Sequence, residues 1–239
     1  MKRNILTLII AVFALMQAAA QTYDNLWKQA DIIARKDQPR SEIGVMKKII
    51  SKASAAKDYG QLLAAEMRQM ILWKEISADS LMPNVERMEA EVLKVKDPAL
   101  KAVRYAVLGK VYSDMDEKKS EEFFKKALQQ PELLAKHTST EYVPLTLKGV
   151  DGSSFNNDLL HLVGFEADSK EAYHLMYTYY NKVGNRGAAC LCAYKLIEKY
   201  RQDDVREVKK SKYLHTIDSL IHVYQDIPEA GELAVEHFR

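Results

Sequence analysis

Asp158 and His161, three residues apart in Asn156-Asn157-Asp158-Leu159-Leu160-His161, are the pair in this sequence best spaced to share a metal ion, since side chains at i and i+3 on a helix reach the same side. Two ligands are too few for a zinc-type centre, which takes three or four. An aspartate at a helix start is ordinary capping chemistry, so the expected role of Asp158 is structural. Tyr173, Tyr177, Tyr179 and Tyr180 supply the aromatic surface a ligand platform would need. Helical spacing puts Tyr173, Tyr177 and Tyr180 near one face, where packing against a neighbouring helix is the expected role. Cys190 and Cys192 are the only cysteines. Two steps along a helix is about 200° of rotation, which makes a bond between them poor geometry, and they read as small buried fillers. No G-x-x-x-x-G-K, G-x-S-x-G, H-E-x-x-H or paired C-x-x-C occurs, so the motifs of phosphate loops, nucleophile elbows and common zinc sites are missing. The sequence names no catalytic, cofactor-binding or metal residue, and the expectation is a protein that is not an enzyme.

The elements that must carry these residues are helices. Nine glycines and six prolines in 239 residues are roughly half the usual share of turn-forming residues. Leu81, Val85, Met88, Val92 and Val95 step by four and three, which is one apolar stripe along an amphipathic helix. Leu26, Trp27, Ala30 and Ile33 mark an earlier helix, with Ile43, Met46, Ile49, Ile50 and Ala53 as its partner after Pro39. Tyr59 to Trp73 marks another, and Leu100 to Met115 a further one behind the cap signal Asp97-Pro98. Asp168 and Glu171 stand at capping-box spacing before Tyr173. Final helices are expected from about Val205 to Tyr224 and from Pro228 onward. Lys209, Lys210 and Lys212 read as a solvated helix face.

Helix pairs beginning near 24, 59 and 98 are 35 and 39 residues apart, close to the period of helix-pair repeats. Tyr105, Leu108, Gly109 and Tyr112, followed by Phe124 and Ala127, resemble the tetratricopeptide signature, with Ser120 where that family prefers alanine and Pro131 one step early. The glycine is expected to face the second helix at close range. Tyr173, Met176, Tyr180, Gly184 and Ala189 give a looser match. The predicted fold is all-α, about ten helices, with antiparallel helix pairs stacked as a tetratricopeptide-like α-solenoid. Residues 21–136 form helical repeat block 1, 137–157 an irregular connector rich in turn residues, and 158–239 helical repeat block 2. The connector is the expected place for a functional loop. From Glu229 the chain reads as a helix with no cap, so it is expected to continue into, or dock against, a further segment.

Residues 1–20 are different. Lys2 and Arg3, an apolar run from Ile5 to Met16, and Ala18, Ala19 and Ala20 are in the order of a secretory signal peptide. Cleavage is expected after Ala20, with localisation in the periplasm or cell envelope and no membrane span thereafter. Removing Lys2 and Arg3 from 35 basic residues leaves 33 against 33 acidic ones. A balanced chain lacks the field that draws nucleic acid.

Several stretches resemble the N-terminal helical region of the large alpha-2-macroglobulin family proteins exported by Bacteroidetes-type bacteria. They are Tyr23-Asp-Asn-Leu-Trp-Lys, Lys36-Asp-Gln-Pro39, Glu75-Ile-Ser-Ala-Asp-Ser-Leu81, Ala106-Val-Leu-Gly-Lys-Val-Tyr112, Phe155-Asn-Asn-Asp-Leu-Leu-His161 and Tyr179-Tyr-Asn-Lys-Val-Gly-Asn-Arg-Gly-Ala-Ala189. The resemblance implies a non-catalytic helical module of a protease-trapping envelope protein whose β-sandwich trapping domains are not in this sequence. Neither Cys190 nor Cys192 is followed at the right distance by Glu-Gln, so no thioester residue carries over. The expected partner is a protein: the module's own macroglobulin-like domains or another envelope component. The alternative is a self-standing tetratricopeptide-like adaptor that binds a partner protein or peptide.

Overall fold

The computed structural model describes residues 23–146, 149–202 and 207–237, without the side chains of 78, 202 and 207–213. The proposed signal segment therefore lies outside the described residues, as do the side chains of Lys209, Lys210 and Lys212. The regular elements are α1 over 23–34, α2 (Pro39–Ala56), α3 (Tyr59–Ile76), α4 (Leu81–Val92), α5 (Pro98–Tyr112), α6 (Glu117–Ala127), α7 (Pro131–Leu134), α8 (Leu159–Ala167), α9 (Lys170–Lys182), α10 (Arg186–Gln202), α11 (Glu207–Tyr224) and α12 (Ala230–His237). No strand occurs among the described residues, and Thr138 and Asp158 form an isolated bridge. The protein is all-α, as the 3.6-residue stripes require. By packing, the chain divides into two units: the residues up to Arg87 with Tyr142–Thr146, and Met88–Glu141 with the chain after Thr146.

In the first unit, α2 ends on Lys57 in the left-handed conformation (φ 56°) and α3 begins two residues later, with Asp58 accepting from the Gln61 amide at 3.3 Å. One left-handed residue and one cap reverse the chain in two residues, and α2 packs against α3. Ile43, Met46, Ile49 and Ala53 of α2 meet Leu62, Ala65 and Leu72 of α3 and Tyr23 and Ala30 of α1 in one apolar cluster. The Tyr142–Thr146 segment lies on the first turn of α3, where a side chain at Gly60 would run into the Tyr142 and Val143 backbone.

In the second unit, Asp97 caps α5 and Pro98 opens it, while Asp116 caps α6 by accepting from the Lys119 amide. Contacts between α5 and α6 climb one helix as they descend the other: Tyr112 with Lys119, Gly109 with Ser120, Tyr105 with Lys126. Gly109 is where the two approach, since a Cβ there would lie 2.8 Å from the Phe124 ring. Ser120, the departure from the repeat signature, is buried and donates its hydroxyl to the Gly109 carbonyl at 2.8 Å. Pro131 opens the short α7.

The expected capping box at Asp168 and Glu171 is not what starts α9. Asp168 ends α8 in the left-handed region (φ 43°), and Ser169, the next extended residue, accepts from the Ala172 amide at 3.2 Å. Asp168 instead takes the Tyr173 hydroxyl at 2.7 Å and Lys199 at 2.6 Å. Gly184, at φ 77°, supplies the turn between α9 and α10, and Asn185 then caps α10. Its glycine is thus required by the turn and not by a close approach, because nothing stands within 4 Å of a Cβ placed there.

Candidate functional site

The sequence-selected residues Asp158, His161 and Tyr180 come together in the second unit, all of them buried. Asp158 is the N-cap of α8: it accepts from the His161 amide at 2.8 Å, and the Tyr180 hydroxyl donates to both of its oxygens at 2.9 and 3.0 Å. Burial pushes its carboxyl up to about 6, against the opposing pull of these hydrogen bonds. The His161 ring does not join Asp158. It stacks on Phe155 with centroids 4.0 Å apart and meets the edge of Phe165 at 4.4 Å. Burial lowers it to about 4, against a smaller opposing pull from the Val150 backbone. A carboxyl and an imidazole so placed have titration ranges suited to acid–base work, yet each is only 1–3 % exposed. A general acid or base must touch the reacting proton, and here both groups are sealed by aromatic rings and by Gly149, whose Cβ would lie 2.7 Å from the imidazole.

The connector that covers them is tied at both ends. The Ser139 amide donates to Asn157 and the Leu159 amide to His137, each at 2.9 Å. The Asn185 amide side chain holds the Ser154 carbonyl, and the Ser154 hydroxyl donates to Glu229 at 3.0 Å. Three residues there, Asp151, Asn156 and Asn157, have positive φ, a conformation aspartate and asparagine tolerate better than other side chains.

No group of three metal-ligating side chains forms among the described residues. Cys190 and Cys192 are both buried, and burial raises Cys190 to about 12 and Cys192 further still, so neither is a thiolate at neutral pH. Tyr173 and Tyr180 are core while Tyr177 and Tyr179 are half-buried. The tyrosine run is packing, not an open platform.

The open site is one the sequence reading passed over. In the first unit an open hollow of about 310 Å³ is lined by the buried Ala30 and Glu42, the half-buried Trp27, Ala64 and Arg68, and the exposed Asp31 and Pro144. Glu42 is 3 % exposed, and Arg68 meets it with two bonds at 2.6 and 3.1 Å. That bidentate bond is the largest reason the Arg68 guanidinium is held even more firmly protonated than usual. The Trp27 indole donates to Gln61 at 2.7 Å, which fixes its plane. A signal was present: Glu42, Met46, Ile49 and Ala53 step by four, three and four, so a carboxylate stands in register with a buried stripe and must be neutralised by a neighbour.

No protein family, curated protein or solved structure matches the chain.

Proposed function

We propose that the protein is a non-catalytic, protein-binding helical module in which antiparallel helix pairs stack as a tetratricopeptide-like α-solenoid. The observation that carries this reading is the α5–α6 contact. Gly109 and Phe124, read from the sequence as repeat-signature positions, meet between the two helices, Tyr112 stacks on the neighbouring Phe123, and Ser120 bonds across to Gly109. A glycine at a helix contact lets the two helices of a pair approach closely, which suits a stack of such pairs. The burial of Asp158, His161, Cys190 and Cys192 supports a non-catalytic role, because these are the groups on which the sequence put its chemistry.

The resemblance to the N-terminal helical region of exported alpha-2-macroglobulin family proteins gives the module its proposed setting, a cell-envelope protein whose other domains trap proteases. The self-standing adaptor is the second reading, and the open cavity of the first unit favours it. Sequencing the gene 3′ of the Arg239 codon separates the two: an open frame encoding β-sandwich domains is expected, and an immediate stop codon overturns the macroglobulin setting in favour of the adaptor.

A further inference from the structure

We infer that the cavity of the first unit is a receptor for a basic side chain, arginine or lysine, presented by a partner protein. The inference rests on the protein-binding reading above and names the chemistry of the partner at one site. Three observations carry it.

The first is size. A hollow of about 310 Å³ is at the small end of ligand sites, large enough for one side chain and too small for an element of structure. It exists because Ala30 and Ala64 leave the space that longer residues would fill. The second is charge. Glu42, Glu75 and Asp31 all act on the single guanidinium of Arg68. Glu42 takes Arg68 in a bidentate pair, which is electrically neutral, so Asp31 is the one further charge among the residues lining the hollow. Asp31, exposed at the rim, makes no side-chain hydrogen bond or ion pair among the described residues. The third is the wall. Trp27, one turn before Asp31 on α1, offers the aromatic ring that holds cations best, and its bond to Gln61 prevents it from turning away. A cation entering here lies on an indole beside an unsatisfied carboxylate, with its aliphatic stem against Pro144 and the alanine methyls. An anionic group would have only Arg68, whose Nε and one Nη already serve Glu42.

The chain has two tryptophans, so Trp73→Phe in the full chain leaves Trp27 as the sole indole fluorophore. That protein is titrated, at fixed ionic strength, with acetyl-Gly-Arg-Gly-amide and with its lysine, norleucine and glutamate counterparts. Saturable changes in emission are expected with the arginine and lysine peptides, and none with norleucine or glutamate. Asp31→Asn should weaken the arginine response about fivefold, the scale of one partly exposed charge pair. Ala64→Leu, which fills the hollow, should remove it. A response to norleucine equal to that of arginine, a response to glutamate alone, an undiminished response in Asp31→Asn, or no response from protein that is helical by circular dichroism overturns the assignment. The last result leaves the module reading intact, whereas a stop codon after Arg239 removes the macroglobulin setting without touching the peptide result.

Discussion

Asp158 and His161 are buried three residues apart, and burial shifts them in opposite senses. The folded Asp158 carboxyl, at about 6, lies above its ordinary 3.8. The folded state therefore binds that proton more tightly than the unfolded chain, and this contribution is full at low pH and lost as pH rises through 6. The folded His161, at about 4, lies below its ordinary 6.5. Its contribution is full above 6.5 and lost as pH falls toward 4. The two slopes offset each other in the wild type and separate in variants. Asp158→Asn keeps an acceptor for the His161 amide and the Tyr180 hydroxyl, and its stability is expected to rise from pH 4 to 6.5 by about 1–3 kcal/mol. His161→Phe keeps the stack on Phe155, and its stability is expected to fall over the same window. Urea melts at a series of pH values measure both, and slopes of the same sign in the two variants would contradict the assignment.

At the scale of the elements, two helical glycines make opposite predictions. Gly109→Ala puts a methyl 2.8–2.9 Å from the Phe124 ring, which is itself buried between α5 and α6. The expected loss is roughly 1–3 kcal/mol, the usual cost of overpacking. Gly44 sits on the exposed face of α2 with nothing within 4 Å of a Cβ. Gly44→Ala exchanges a poor helix former for the best one and should gain up to about 1 kcal/mol. Thermal melts of the two variants should therefore shift in opposite directions, and a raised midpoint for Gly109→Ala would mean that α5 and α6 do not pack through that residue. Asp168-Ser169 offered two possible caps, and which one served was decided by the left-handed turn that ends α8.

For the whole molecule, the proposed export is the property most directly tested. Mass spectrometry of cell-envelope protein is expected to find a mature N-terminus at Gln21, and a cytoplasmic chain retaining Met1 would refute it. The mature chain would carry 33 basic and 33 acidic residues. With so even a balance, the proposed recognition of a basic side chain rests on local charge, that of Asp31 beside Trp27.

The sequence by itself determined the helical class and much of the element order, because apolar periodicity and caps such as Asp97 and Asp158 act within a few residues of chain. It also determined that Cys190, Cys192, Tyr173 and Tyr180 are interior, since they lie on apolar faces. Tertiary structure alone decided what the polar residues do. Asp158 met Tyr180, twenty-two residues away, and so became a buried anchor, while His161 turned to Phe155 instead. Glu42 met Arg68, Trp27 met Gln61, and Pro144 closed the cavity from a segment far along the chain. No local pattern encodes such meetings. A side chain's hydrogen bonds, burial and titration depend on which distant helix packs over it, and that is settled when the cores assemble.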